Sequence, residues 1–123
     1  MANVLLVDDA TECLNPLMHM LRSGGHDVAC AKNGLEALNA LDDVAPDVIV
    51  TDLRMPVMDG EQFLRAVETS PAYHGRVPVI MITGAAEGEC LSRARSLGAK
   101  LVLEKGRLTA AALLGAIKHY AGN

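Results

Sequence analysis

Aromatic residues are scarce in this chain: its 123 residues include no tryptophan, two tyrosines and one phenylalanine. Any core must therefore be built from aliphatic side chains, which are abundant because 50% of the residues are hydrophobic. That proportion is too high for a disordered chain. The length fits one domain with a single core, and we expect that domain to span residues 1–123.

Three further features are missing, and each excludes a class of protein. The net charge is −4 and no basic stripe is present, which argues against direct binding to nucleic acid. No hydrophobic run reaches transmembrane length and no signal-peptide pattern follows Met1, so we expect no membrane contact and a cytoplasmic location. The cysteines form no CxxC pair, and we expect them to be reduced thiols that fill the core: Cys13, Cys30 and Cys90.

The chain is organised around the stretch from Val48 to Gly60. Its apolar run ends at Asp52, and turn signals follow at Pro56 and Gly60. A short β-branched run of this kind predicts a buried parallel strand, with Asp52 at its carboxyl end. Ligands of open α/β sheets bind at that end of the strands, which makes Asp52 a candidate for chemistry.

Strand and helix patterns alternate along the rest of the chain. Apolar runs predict four more strands: Asn3 to Val7, His26 to Ala31, Val77 to Thr83 and Lys100 to Glu104. The second is shorter and more polar, as is typical of a sheet edge. Helical spacing predicts five helices that begin near these residues: Ala10, Asn33, Asp59, Glu89 and Thr109. Five such units predict an α/β fold, a parallel five-stranded sheet with helices on both faces.

Local sequence features predict details of two of these helices. Pro16 removes a backbone donor, so the first helix should be kinked there or should tighten only after Asn15. Asn33 and Glu36 have the spacing of a capping box at the start of the second helix. Three leucines of the second helix should face the core: Leu35, Leu38 and Leu41.

Four of the five predicted strands end at distinctive polar residues. These residues are Asp8 with Asp9, Asp52, Thr83 and Lys105. Taken singly, each has an ordinary interpretation: an aspartate caps a helix, a threonine occupies a turn and a lysine is solvated. Parallel strands place their carboxyl ends at one edge, however, so these side chains should converge. Their joint placement favours a functional site.

The residue types at this edge point to phosphoryl chemistry. Three close carboxylates repel one another, and Mg²⁺ prefers such oxygen ligands and commonly pairs carboxylates with a phosphate. A carboxylate in this setting can attack phosphorus and become an aspartyl phosphate. A lysine ammonium and a threonine hydroxyl would then suit the phosphoryl oxygens.

These motifs resemble the receiver domain of bacterial two-component response regulators. The resemblance runs from Val4 to about Tyr120 and rests on six pieces of the sequence: Leu6 to Asp9, Asp52 to Pro56, Met58 to Gly60, Pro78 to Thr83, Gly98 with Ala99, and Lys105. It implies a flavodoxin-like, three-layer (βα)5 fold with strand order 2-1-3-4-5. It also implies a signalling switch rather than an enzyme proper, which takes a phosphoryl group from a histidine kinase or phosphotransfer protein and then changes its binding to a downstream partner.

The resemblance further implies a role for each residue of the predicted site. Asp52 would be the phosphoacceptor in a Mg²⁺-dependent reaction. Asp9, Asp52 and the backbone carbonyl of Arg54 would bind the metal directly, and Asp8 would bind it through water. Two other side chains would contact the phosphoryl group: Thr83 and Lys105. In this way the domain would assist its own phosphorylation and dephosphorylation.

Two positions depart from the family pattern. Gly106 follows Lys105, where the family usually has proline. Val102 stands where the family usually has a Phe or Tyr ring that changes rotamer on phosphorylation. Neither change touches the phosphorylation chemistry, but together they leave the route of the readout open.

Two other functions fit the sequence less well. A Mg²⁺-dependent aspartyl-phosphate phosphohydrolase usually has an acid/base aspartate two residues after its nucleophile, and this chain has Arg54 there. A nucleotide-binding domain needs a Gly-rich phosphate loop after the first strand, and none follows Val7. The kinase, the downstream output, the oligomeric state, the phosphoryl lifetime and the presence of an effector domain in a longer protein are left open.

Overall fold

The structure, a computed structural model, describes residues 2–9, 11–73, 76–84 and 88–121, without the side chains of residues 11–15, 88–91 and 105. Strands and helices alternate along these residues. The strands are β1 (Asn3–Val7), β2 (Asp27–Ala31), β3 (Val48–Asp52), β4 (Val79–Thr83) and β5 (Leu101–Glu104). The helices are α1 (Thr11–Ser23), α2 (Gly34–Val44), α3 (Gly60–Thr69), α4 (Gly88–Ser96) and α5 (Ala110–Tyr120), with a short 3₁₀ helix (Lys105–Arg107) after β5.

The five strands form one parallel sheet in the order β2-β1-β3-β4-β5. This order and the alternation of strands with helices confirm the predicted flavodoxin-like α/β fold. Every residue of β3 and β4 is buried, as expected for central parallel strands. β2 lies at the sheet edge, as predicted, and only Ala31 of that strand is buried. No helix in the described part of the chain has the length and apolarity needed to cross a bilayer.

The core consists of two apolar layers, one on each face of the sheet. One layer packs the sheet against α2 and α3, and it contains Phe63, Leu64 and Val67. The other packs the sheet against α1 and α5, and its helical members include Leu21 and Ile117. The helices thus bury apolar stripes on both faces, and the carboxyl edge of the sheet stays clear for polar side chains.

The prediction that Leu35 faces the core is wrong. Its side chain is 45% exposed, whereas Leu41 is buried and Leu38 packs against the core at its margin. The reason is the face that α2 buries: its buried stripe runs through Gly34, Ala37 and Leu41. Leu35 follows Gly34 by one residue, which turns it about 100° away from that stripe.

α1 runs without interruption through Pro16, so the expectation that it tightens only after Asn15 is wrong. Pro16 lies on the exposed side of the helix. Leu17 and Leu21 of the same helix are buried against the sheet. Their packing stabilises the helix although one backbone donor is lost, since tertiary burial outweighs a single missing hydrogen bond.

The capping box appears at α3 rather than α2. At α2, the Asn33 side chain accepts a hydrogen bond from the Glu36 N–H (2.8 Å), but the Glu36 carboxylate accepts from the Lys32 N–H (3.3 Å) instead of completing the box. At α3 the box is complete: Asp59 Oδ1 accepts from the Gln62 N–H (2.8 Å), and Gln62 Oε1 accepts from the Asp59 N–H (3.0 Å). The first turn of α3 is therefore firmly fixed.

Cys30 does not fill the core, which corrects the expectation for this cysteine. It lies on the edge strand β2, where its side chain is exposed, with its Sγ atom 3.4 Å from the Sδ atom of Met18. Partial burial of the thiol raises the pKa of Cys30, and the charge of Arg22 opposes that rise. The side chains of Cys13 and Cys90 lie outside the described residues.

Candidate functional site

The sheet register brings Asp8 and Asp52 to the same level of the carboxyl edge. Val7 of β1 is paired with Thr51 of β3, and each aspartate follows one member of that pair. The backbone N–H of Asp8 donates to the Ala31 carbonyl (3.0 Å), which continues the ladder toward β2. The two aspartates are thus neighbours because adjacent strands end together, as the sequence predicted.

Three carboxylates come together at this edge. The nearest carboxylate oxygens of Asp8, Asp9 and Asp52 all lie within 4.8 Å of one another. Asp8 is 2% exposed and Asp52 is 9% exposed, while Asp9 faces solvent. This group, called here the acidic cluster, is thus buried on one side and open on the other.

The acidic cluster has the donor set of a hard divalent cation. It offers only oxygen ligands, which suit Mg²⁺ better than zinc, since zinc favours sulfur and nitrogen. The spacing of the carboxylate oxygens lets one ion be shared between them. A cation would also offset the repulsion of three negative charges in a place where two of them have little contact with water.

The backbone orients the carboxylate of Asp52. Its Oδ1 atom accepts a hydrogen bond from the Leu53 N–H (2.8 Å), and the same N–H also donates to the Ile82 carbonyl (3.2 Å). The Thr51 hydroxyl donates to the carbonyl of Asp52 (3.0 Å). The Leu53 N–H therefore orients the carboxylate of Asp52, and the bond to β4 in turn helps to fix that N–H.

Gly60 allows α3 to begin directly on the backbone of Asp52. A Cβ atom at Gly60 would overlap the carbonyl oxygen of Asp52 and would lie 2.9 Å from the Cα atom of Leu53. The N–H of Gly60 donates to the Leu53 carbonyl (2.8 Å), which ties the helix start to the strand end. From the sequence, Gly60 was interpreted only as a turn signal. Its position directly after the capping residue Asp59 was the available sign that it begins a helix against the end of β3.

Arg54 differs from its neighbours in its backbone carbonyl and in its solvent-facing side chain. Within the described residues, this carbonyl accepts no hydrogen bond, in contrast to the Leu53 carbonyl next to it. The Arg54 side chain is exposed and borders a cavity of about 260 Å³ together with Leu53, Asp59 and Glu61. The position two residues after Asp52, where a phosphohydrolase would have its acid/base aspartate, therefore carries the solvent-facing guanidinium of Arg54.

Thr83 ends β4 at the same edge, as predicted, and is buried. It is paired with Glu104 of β5, one residue beyond the pair of Asp52 and Ile82. The backbone of Lys105 follows Glu104 directly and begins the 3₁₀ helix, but its side chain lies outside the described residues. The structure thus brings Thr83 to the edge that carries the acidic cluster, whereas it leaves the contacts of the lysine ammonium undescribed.

The two departures from the family pattern lie on β5 and just after it. Val102 is paired with Met81 of β4, is half-buried and packs against the core layer of α2 and α3. Gly106 lies in the 3₁₀ helix, and a Cβ atom there would meet nothing within 4 Å. Val102 is therefore part of the core margin, and no packing requires glycine at position 106.

Glu61 connects α3 to α4, a link that sequence reasoning missed. Its carboxylate lies 3.6 Å from the guanidinium of Arg65 on its own helix and 3.6 Å from that of Arg93 on α4. The first contact has the i,i+4 spacing visible in the sequence, but the second depends on how the helices pack. Since Glu61 follows Gly60, the link begins next to the backbone of Asp52.

Comparison with known proteins agrees with this geometry. The family profile described as "Response regulator receiver domain" matches residues 4–118. Regulatory protein AtoC of Escherichia coli is 36% identical over 96 residues, which cover 78% of this chain but only 20% of AtoC. The chain spans between 14% and 43% of the length of eight curated relatives that it matches.

Solved structures show the same fold. The chemotaxis protein CheY4 of Vibrio cholerae matches with a TM-score of 0.88 and 32% identity, covering 98% of each chain. The receiver domain of the sensor histidine kinase PA1611 from Pseudomonas aeruginosa matches with a TM-score of 0.87 and 28% identity, covering 98% of this chain and 97% of that domain. That structure has a magnesium ion coordinated in its active-site cleft. This chain belongs to the family of response regulator receiver domains of two-component systems.

Proposed function

We propose that Asp52 is the phosphoacceptor of a receiver domain that spans residues 1–123. The observation that carries the proposal is the acidic cluster, in which the carboxylate of the central strand β3 lies within 4.8 Å of those that follow β1. Membership of a family of signalling switches supports the class of reaction, and the position of Asp52 in the acidic cluster supports its choice as the acceptor. The phosphoryl donor in this proposal is a phosphohistidine on a histidine kinase or phosphotransfer protein.

Four residues would hold Mg²⁺ in this proposal. Asp9 and Asp52 would bind the ion through carboxylate oxygens, and Arg54 would bind it through its backbone carbonyl. Asp8 would bind through water, and its 2% exposure is consistent with a position behind the two direct ligands. When bound, the cation would supply positive charge that offsets the carboxylates and the incoming phosphoryl oxygens.

The side chains at this edge have separate tasks in the transfer. A carboxylate oxygen of Asp52 attacks phosphorus, the new O–P bond forms, and the P–N bond to the donor histidine breaks as its imidazole leaves. The hydrogen bond from the Leu53 N–H (2.8 Å) keeps the carboxylate oriented for this attack. The Thr83 hydroxyl and the Lys105 ammonium would then stabilise the phosphoryl oxygens.

The proposed output is a change in affinity for a downstream protein or for an effector domain of the same chain. The relatives are much longer than the chain, so the output is specific to each of them and does not transfer to this one. A cytoplasmic location belongs to the same proposal, and the free thiol of Cys30 is consistent with a reducing compartment. The phosphohydrolase alternative gains no support, since Arg54 replaces its acid/base residue.

Labelling with a small phosphodonor tests the proposal. Acetyl phosphate with Mg²⁺ should give a phosphoprotein that is stable in acid and labile in alkali. Asp52→Asn should abolish the label, whereas Asp43→Asn, at an exposed aspartate near the end of α2, should retain it. Equal labelling of natural protein and Asp52→Asn, measured by intact mass, would refute the assignment.

A further inference from the structure

Large apolar side chains are exposed at two places in the described part of the chain. Val57 is 75% exposed and Leu35 is 45% exposed. Single exposed apolar residues are common on protein surfaces and need no explanation. These two are not scattered, however, because the fold brings their segments together.

A direct contact joins the segments of Leu35 and Val57. The N–H of Gly34, which precedes Leu35, donates to the carbonyl of Met58, which follows Val57 (2.9 Å). The approach is tight, since a Cβ atom at Gly34 would lie 2.8 Å from the Cγ atom of Met58. Leu35 and Val57 therefore flank one junction between α2 and the connection of residues 53–59, and they are called here the apolar pair.

The connection that carries Val57 is anchored to the phosphoacceptor at both ends. It leaves β3 directly after Asp52, whose carboxylate accepts from the Leu53 N–H. It ends at Gly60, which lies against the carbonyl of Asp52. The start of α2 likewise follows the carboxyl end of β2, so the apolar pair lies on the rim formed by the carboxyl edge of the sheet, the edge that carries Asp52.

Val57 adopts a backbone conformation that does not suit its side chain. Its φ angle is +68°, in the left-handed region, where a β-branched residue is an outlier and Gly or Asn is favoured. With 75% of the side chain exposed, packing does little to offset this strain. Strained residues of this kind cluster at functional sites, and no contact among the described residues accounts for valine here.

We propose that Leu35 and Val57 form a docking contact for the protein that carries the phosphohistidine. This inference rests on the proposed role of Asp52, because the donor histidine must reach bonding distance of that carboxylate. The donor's surface then covers the rim around Asp52, and the apolar pair is continuous with that rim. An apolar contact also suits this place, since it attracts the donor protein without adding charge next to the phosphoryl group.

Two phosphodonors separate docking from chemistry. Acetyl phosphate needs no docking surface, whereas a phosphorylated kinase does. The protein donor is chosen from a panel of purified phosphorylated histidine kinases. It is the kinase that transfers its phosphoryl group fastest to the natural chain. Val57→Asn keeps a residue that tolerates positive φ, and Leu35→Gln keeps a good helix former. Each should slow transfer from the kinase by about fivefold to tenfold, as expected for a central interface contact, and should leave labelling by acetyl phosphate unchanged.

Asn39→Ala provides the matched control, since Asn39 is exposed on the same helix but one turn away from the junction. It should transfer at the natural rate. Val57→Asn should also melt at a higher temperature than the natural protein, so that loss of folding cannot explain slower transfer.

Several results would overturn the docking proposal. One is an unchanged rate of transfer from the kinase to both variants. Another is a natural chain that accepts phosphate from acetyl phosphate but from no kinase of the panel. Loss of self-association in the variants, with unchanged transfer, would assign the pair to a second copy instead. Failure of acetyl phosphate to label the natural chain is a different result, because it would count against Asp52 as acceptor.

Discussion

Gly60 and Asp52 are in direct backbone contact, although seven residues lie between them. A Cβ atom at Gly60 would overlap the Asp52 carbonyl oxygen and lie 3.1 Å from its carbonyl carbon. The first turn of α3 is therefore built against the residue proposed to receive the phosphoryl group. Glu61, the next residue, pairs with Arg93 of α4, so the start of α3 also contacts a second helix.

Gly60→Ala should destabilise the protein. The added methyl group meets backbone atoms rather than a flexible side chain, so the strand end and the helix start must separate. We expect the free energy of unfolding to fall by about 1 to 3 kcal/mol, as is typical of overpacking. Urea denaturation measures this change.

Gly115→Ala is the control for that experiment. Gly115 lies within α5, and a Cβ atom there would meet nothing within 4 Å. Alanine is the better helix former, so this change should stabilise the protein by about 0.5 to 1 kcal/mol. Equal effects of the two substitutions would show that the contact between Gly60 and Asp52 is unimportant.

The acidic cluster predicts an order of metal affinities. Asp9→Asn removes a proposed direct ligand, and Asp8→Asn removes one that acts through water. Asp8→Asn should weaken Mg²⁺ binding by about tenfold, as for other outer-shell ligands, and Asp9→Asn should weaken it more. Magnesium titrations of each variant give the order, and the reverse order would exchange the two roles.

The same cluster predicts that the metal-free protein gains stability when a carboxylate is removed. Three negative charges within 4.8 Å repel one another when no cation is bound. Asp9→Asn should therefore raise the free energy of unfolding by about 1 kcal/mol in a chelating buffer, an effect that salt would reduce. A lower stability of this variant in chelator would show that Asp9 contributes a favourable contact instead.

Arg54 should affect the lifetime of the phosphorylated protein more than its metal affinity. Only its backbone carbonyl is proposed to bind Mg²⁺, while its exposed side chain borders a cavity that begins at Leu53, the residue after the acceptor. Arg54→Ala should change the rate at which water hydrolyses the aspartyl phosphate and should leave the Mg²⁺ affinity within about twofold, since backbone ligands persist after side-chain truncation. From the sequence, Ala85, two residues after Thr83, should flank the same approach of water, but it lies outside the described residues. Decay at the natural rate in Arg54→Ala would contradict this account.

The fold and the placement of the site could be predicted from sequence because they depend on periodicity and topology. The apolar run ending at Asp52 is a central strand, and parallel strands necessarily gather Asp8, Asp9 and Thr83 at one edge. The exposure of Leu35 could not be predicted, since it depends on which face of α2 packs against the rest of the chain. That packing includes the Gly34–Met58 hydrogen bond, which joins distant parts of the chain.

Packing between elements also explains the other misses. The overlap of Gly60 with the Asp52 backbone and the ion pair between Glu61 and Arg93 arise from the relative placement of two elements. Cys30 is exposed because β2 has no outer neighbour, although the residue type favours burial. For the exposure of Cys30, the polar composition of β2 was the signal available in the sequence.

Val102 predicts how far the phosphorylation signal spreads. It is half-buried beside Met81, and its β-branched side chain is stiff, so it has no alternative inward rotamer of the kind a ring offers. Beryllofluoride with Mg²⁺, a phosphoryl mimic, should shift amide NMR signals strongly near Asp52 and Gly84 and only weakly in Lys100–Leu103. A ligand shifts an equilibrium only through differential contacts, and one such contact is missing here.

Replacing Val102 tests this directly. Val102→Tyr or Val102→Phe should extend the NMR response into β5, because a ring can exchange an outer position for an inner one. Shifts at Val102 in the natural protein as large as those at Gly84 would show that the signal travels along β5 without a ring.

The central claim is that the phosphoryl group resides on Asp52, and chemical mapping of the natural protein tests it most directly. Borohydride reduces an aspartyl phosphate to homoserine, which marks the modified residue permanently. After phosphorylation with acetyl phosphate and Mg²⁺, peptide mass spectrometry should find homoserine at position 52 and nowhere else. Homoserine at Asp8, Asp9 or another aspartate, with unmodified Asp52, would contradict the account.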